Sequence, residues 1–170
     1  MVKRKIRWVI LVAVLIVAGW IGWVLYSRTT PEAQMRKVIA ELAASGSKMP
    51  GEGGASSVLK VHSGTELFTE PARIAVRGTM FGGDISHAQI QSHLARYRSM
   101  MEYSQISADV EQVIVTGERT GEMIFTGTLN GRTKHGTQIS EVRELRCIFE
   151  KDGENKWRIR EITAQDVLEK

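Results

Sequence analysis

From Trp8 to Tyr26 the chain runs for 19 residues without a charge, and no other feature limits so strongly what its N-terminal part can fold into. A helix of that length covers roughly 28 Å, close to the thickness of bilayer hydrocarbon. Trp8 stands at one end and Trp20, Trp23 and Tyr26 at the other, where amphipathic rings favour the headgroup zone. Lys3, Arg4, Lys5 and Arg7 precede the run, Arg28 alone follows it, and no acid occurs before Glu32. The positive-inside bias then predicts a cytoplasmic tail over 1–7, a transmembrane helix over 8–26 and an extracytoplasmic domain over 27–170 at a cell membrane. The lipid bilayer is the partner this expectation names. A competing reading treats Val17-Ala18-Gly19 as a signal-peptide cleavage site and releases a secreted domain. The bulky run Trp20-Ile21-Gly22-Trp23-Val24-Leu25 suits an anchor better. No cysteine lies near this segment, so it is not read as a lipoprotein signal.

Charge sorts the partners. The net charge is +4, from 23 Lys and Arg against 19 Asp and Glu. The four basic residues before Trp8 account for all of that excess. The rest of the chain is neutral overall, which argues against nucleic acid as a partner. Apolar residues make up 42% and charged residues 25%, enough for one folded domain in a chain of this length. Cys147 is the single cysteine. It falls in an apolar alternation and reads as a small core residue rather than a nucleophile.

The elements follow from local signals. Thr30-Pro31-Glu32 starts a helix over 31–45, with Met35, Val38, Ile39 and Leu42 on one face and Gly46 as the stop. Residues 47–57 read as a loop and 58–62 as a short helical turn. Residues 73–77 alternate as a strand, and 78–84 turn the chain. Ser86 and Gln89 form a capping box, and Ile85 with Ile90 a hydrophobic staple, for a helix over 87–102. Its apolar stripe is Ile90, Leu94, Tyr97 and Met101. Four antiparallel strands then follow as a meander, over 110–115, 122–129, 139–151 and 157–163.

Asp152-Gly153-Glu154 is read as a three-residue turn. That register sets Phe149 opposite Trp157, Cys147 opposite Ile159 and Leu145 opposite Glu161 on the inward face. On the outward face it sets Ile148 opposite Arg158 and Arg146 opposite Arg160. Glu144 and Glu150 then lie within diagonal reach of the two arginines. Arg146, Arg158 and Arg160 therefore mark either a solvated charge ladder or a surface for a protein partner, a second copy of the chain included.

Two stretches in this order resemble the nuclear transport factor 2-like superfamily, also called the SnoaL-like or cystatin-type cone. One is residues 72–77 followed by Asp84-Ile85-Ser86-His87-Ala88-Gln89-Ile90, a strand and then a Ser-capped helix. The other is residues 149–162, the closing hairpin with Trp157-Arg158-Ile159. The resemblance covers about residues 31–166. It implies an α+β fold in which a curved antiparallel sheet wraps helices and leaves a conical pocket. It also implies either a binding or assembly module, or an enzyme of hydrolase, dehydratase or isomerase type, or a small-ligand carrier. The layout of tail, span and outer cone is similar to that of bitopic components of type IV secretion systems. Fold alone does not choose among these.

Acid–base chemistry in such a pocket needs proton-carrying groups within reach of a substrate. Tyr97 on the helix stripe, with Glu141, Arg143 and Glu161 at inward parity on the last two strands, are the candidates. Arg143 and Glu161 are placed to pair at the open end. His62, His87, His93 and His135 show no metal-ligand spacing, and Gly51-Glu52-Gly53-Gly54 lacks the Lys and Ser/Thr of a phosphate loop. No cofactor and no metal are expected. A cavity of several hundred Å³ reaching solvent beside Tyr97, Glu141, Arg143 or Glu161 would favour an enzyme or carrier, and a cone filled by side chains such as Met101, Phe125, Phe149 and Trp157 would favour an assembly module.

Overall fold

The computed structural model describes residues 30–75 and 82–164. The tail over 1–7 and the span Trp8–Tyr26 lie outside the described residues. Among those described, no helix is long and apolar enough to cross a membrane. Residues 1–34 and 35–170 form separate compact units, and of the first only Thr30–Gln34 are described.

Helix α1 spans Pro31–Gly46. The Thr30 hydroxyl accepts the Ala33 N–H at 3.3 Å, as the sequence suggests. Helix α2 covers Gly54–Thr65, far more than the turn expected at 58–62. Its glycines and serines hid a helix whose buried face is Val61, Gly64 and Thr65. Strand β1, Phe68–Ala75, starts five residues earlier than its alternation suggested. The supposed turn at 78–84 contains a short strand, β2, Gly82–Ile85, paired antiparallel to β1.

Helix α3, His87–Met100, opens on the full capping box. Ser86 Oγ accepts from Gln89 N, and Gln89 Oε1 accepts from Ser86 N at 2.8 Å. Ile85 and Ile90 are both buried behind it. The helix stops one residue before Met101, which is already extended and begins strand β3, Met101–Val115. Lys48 Nζ stabilises this abrupt end by donating to Arg98 O at 2.8 Å and Met101 O at 2.7 Å. The first nine residues of β3 are mostly polar and carry little strand signal, so only 110–115 was legible.

Strands β4 (Thr120–Thr133), β5 (Gln138–Lys151) and β6 (Trp157–Ala164) complete the meander. The sheet order is β2-β1-β6-β5-β4-β3. It is mixed rather than purely antiparallel, because β1 runs parallel to β6.

The closing hairpin departs from the expected register. Its loop is residues 152–156, closed by Asp152 N donating to Lys156 O at 2.9 Å. Asn155 sits at φ 62°, and Asp152 Oδ1 accepts from Glu154 N and Lys156 N. Phe149 therefore faces Ile159, and Lys151 faces Trp157. A slip of two residues keeps the same side chains inward. A bulge then sets Ile148 opposite Glu161 and Cys147 opposite Ile162. Its single extra residue reverses parity, turning Glu161 outward and Ile162 into the core.

The core lies between the helices and the inward sheet face. Met35 and Met123 are fully buried, as are Cys147, Phe149 and Ile159. Gly121 lets Met35 pack closely there, because a Cβ on it would lie 2.5 Å from Met35 Sδ and force that side chain to shift. Burial holds the Cys147 thiol well above its ordinary pKa, which makes it an inert packing residue.

Candidate functional site

Where the core thins, a cavity of about 340 Å³ opens between α1, α3 and the sheet. Its floor is made by short side chains. Ala43 of α1, Ala108 of β3 and Gly127 of β4 line it where longer groups would fill it. The walls are aliphatic and aromatic, with Ile39 and Leu42 from α1, Ile106 from β3, Phe125 from β4 and Leu145 from β5 among them. From α3 come Ile90, His93, Leu94 and Tyr97, one face at spacings of three and four. Phe149 and Trp157, two of the side chains that a filled cone would use, pack beyond the cavity among buried core residues. Met101 is buried and does not line it. Phe125 does line it.

Polar lining is sparse. Among the described lining residues, His93, Tyr97 and Ser107 alone carry polar side chains. Among the described residues the buried Tyr97 hydroxyl has no hydrogen-bond partner; the ring lines the cavity and the oxygen points into the protein. Ser104 lies beside it but donates its own hydroxyl to Gly46 O at 3.1 Å. Burial raises the Tyr97 pKa, opposed by Ser104 and the Arg98 charge.

The other sequence candidates stand elsewhere. Glu141 and Arg143 share the inward face of β5, opposite Leu129 and Gly127, which line the cavity. They do not line it themselves. They pair with each other, Arg143 Nη2 to Glu141 Oε2 at 3.1 Å, both largely exposed. Arg143 thus pairs along its own strand instead of with Glu161, which the bulge carries to the outer face near Arg146. Of the four, Tyr97 alone lines the cavity.

The three outer arginines each have an acidic partner, and none faces another arginine. Arg146 binds Glu122 through Nε at 2.6 Å and Nη2 at 2.7 Å. Glu122 is held below its ordinary pKa by that hydrogen bond, against its own burial. Arg158 meets Asp152 at 2.9 Å, and Arg160 meets Glu150 at 3.6 Å. His87 contacts Glu70 and Phe68 O, and His62 and His135 are exposed. Among the described residues no three His, Cys, Asp or Glu stand together as a metal cluster.

Two residues escaped the sequence reading. His93 is three residues after Ile90 and four before Tyr97, so the helix stripe itself could have placed it in the pocket. Arg98 is 1% exposed. It donates to Ser57 Oγ at 3.1 Å, to Ser47 O at 2.8 Å, and to Ser45 O and Glu52 Oε1. These partners lie 41–53 residues away in sequence, and no local pattern announces them.

No protein-family model matches the chain, and no curated protein matches it in sequence. Solved structures do. A ketosteroid isomerase-like protein from Erwinia carotovora atroseptica superposes with a TM-score of 0.62 at 7% identity, over 83% of this chain and 99% of that one. A nuclear transport factor 2-like superfamily protein from Salmonella enterica gives 0.61 at 12% identity, over 82% and 96%. A hexachlorocyclohexane dehydrochlorinase gives 0.62 at 11% identity, over 83% and 85%. The fold is therefore the nuclear transport factor 2-like, or SnoaL-like, cone, a fold whose members include enzymes.

Proposed function

We propose that this chain binds a small, mainly apolar molecule in the cone cavity, and that the segment Trp8–Tyr26 anchors the domain on the outer side of a cell membrane. The observation that carries the binding reading is the cavity itself. Its volume of about 340 Å³ falls within the usual range of ligand pockets, and its wall is apolar with the His93 side chain as a polar contact, Ser107 turning its hydroxyl to the exposed face of β3. A module built only to assemble would gain stability by filling that space. The neighbours' names point the same way, since a ketosteroid and hexachlorocyclohexane are ring compounds with large apolar surfaces. The arginines of the outer face give less support to docking there, because each already has an acidic neighbour within the chain.

Catalysis in the same cavity is the second reading. One observation favours it: the His93 imidazole, a group able to carry a proton, lines the pocket.

The test uses the full chain in detergent micelles with 1-aminoanthracene as a fluorescent probe. The wild type is expected to show saturable one-to-one binding above the micelle background. Ala108→Phe places a ring in the cavity and is expected to abolish that component while the fold persists. Binding absent in the wild type, or unchanged in A108F, overturns the reading.

A further inference from the structure

A second cavity, of about 300 Å³, lies on the other side of α3, between that helix and α2. Its chemistry is opposite to that of the cone. Lys48, Glu52, Ser57, Gln91 and Arg98 bring polar groups to it, over an apolar wall that includes Val58 and Val61. We propose that this cavity binds a small organic anion, with its carboxylate or phosphate oxygens on Lys48 and Arg98 and a short apolar body against Val58 and Val61.

The charge count is the first argument. Lys48, Lys60 and Arg98 surround a single carboxylate, Glu52. Both oxygens of that carboxylate are engaged, Oε1 by Arg98 and Oε2 by Lys60 at 2.7 Å. Arg98 is 1% exposed, so its charge is compensated inside the protein and not by solvent. Two positive charges remain in excess, and Lys134 adds to the field at Lys48. Burial, Lys134 and Arg98 together lower the Lys48 pKa, against the pull of Glu52. Repulsion of this kind is relieved by an anion between the cations.

The donor count is the second. A guanidinium carries five N–H groups. Among the described residues, Arg98 uses Nε on Ser57, Nη1 on Ser45 O and Ser47 O, and Nη2 once on Glu52. One Nη2 N–H is left on a fully buried side chain that lines the cavity. An ammonium has three donors, and Lys48 spends two on the carbonyls that end α3. Ser57 Oγ accepts from Arg98, which leaves its own proton to donate. Gln91 adds a side-chain amide from α3. The cavity therefore offers unspent donors and excess positive charge, while its one carboxylate is fully used. That arrangement selects an oxyanion. The volume and the valine wall favour a small molecule with a short apolar part over a bare ion.

Calorimetric titration of the full chain in detergent micelles tests this with three probes: inorganic phosphate, butyrate and butylamine. Phosphate and butyrate are expected to bind saturably at one site, butyrate the tighter, and butylamine not at all. Gln91→Glu puts a negative charge at the exposed mouth and leaves the Arg98 contacts intact. It is expected to weaken both anions at least tenfold. Lys48→Met is expected to do the same, with Q91E as the safeguard if that variant fails to fold. Ala108→Phe in the cone should leave anion binding unchanged, which separates this site from the cone's ligand. No saturable anion binding, equal binding of butylamine, or anion affinity unchanged in Q91E overturns the proposal.

Discussion

Arg98→Met is the most demanding test of how the helices are held. The guanidinium is 1% exposed and ties α3 to Ser45, Ser47, Glu52 and Ser57 at once. Methionine fills much of the volume and removes every donor. Ser45 O and Glu52 Oε1 then lose the donors that the guanidinium supplied. Ser47 O keeps Lys60 Nζ at 3.5 Å, and Glu52 keeps Lys60 at 2.7 Å. Removing one partner of a buried ion pair costs about 3–5 kcal/mol, and an unsatisfied buried carbonyl alone costs about 1–3 kcal/mol. These overlap, so about 3–5 kcal/mol is expected in total. At roughly 3 °C per kcal/mol for a domain of this size, Tm should fall by about 9–15 °C. Thermal unfolding of the full chain, followed by near-UV circular dichroism, measures it. Glu52→Gln in the same background should recover part of the loss, because it removes the carboxylate that R98M strands. A loss under about 1 kcal/mol would refute the reasoning, and so would strict additivity of R98M with E52Q.

Acid should act through the same pair. Burial pushes the Glu52 carboxyl up, but Lys60, the Met49 N–H and Arg98 together hold it below its ordinary value. A depressed folded pKa contributes stability that is fully present above the unfolded value and lost as pH falls through the folded one. The loss should therefore lie below the ordinary carboxylate range near about pH 4.3, and in R98M the acid limb should move to higher pH in a denaturation series. Ser86→Ala removes the hydroxyl half of the capping box and should cost about 1 kcal/mol in urea unfolding, with cone ligand binding retained. Cys147, fully buried with a raised pKa, should resist a thiol reagent at neutral pH and react at once in denaturant. Rapid labelling of the native chain would contradict its place in the core.

What the sequence determined was local and periodic. The Thr30 and Ser86 caps, the one-sided stripes of α1 and α3, and the alternation around Phe149 and Trp157 are each set by neighbours within a few residues. Their elements stand near where the pattern put them. Tyr97 was legible as a pocket residue for the same reason, and His93 shares its helix face. Local pattern failed where polar residues fold. The polar first half of β3 becomes a strand because β4 pairs with it. The glycine- and serine-rich start of α2 becomes a helix because Val61, Gly64 and Thr65 find cover.

Only the tertiary structure decided the rest. The bulge between Ile148 and Phe149 moved Glu161 to the outer face, and no spacing in β5 or β6 encodes one extra residue. Ala43, Ala108 and Gly127 look like unrelated small residues until α1, β3 and β4 meet and leave a cavity among them. Arg98 gathers partners from α1, α2 and the loop between them, 41–53 positions away, and a contact at that separation exists only once the helices have packed.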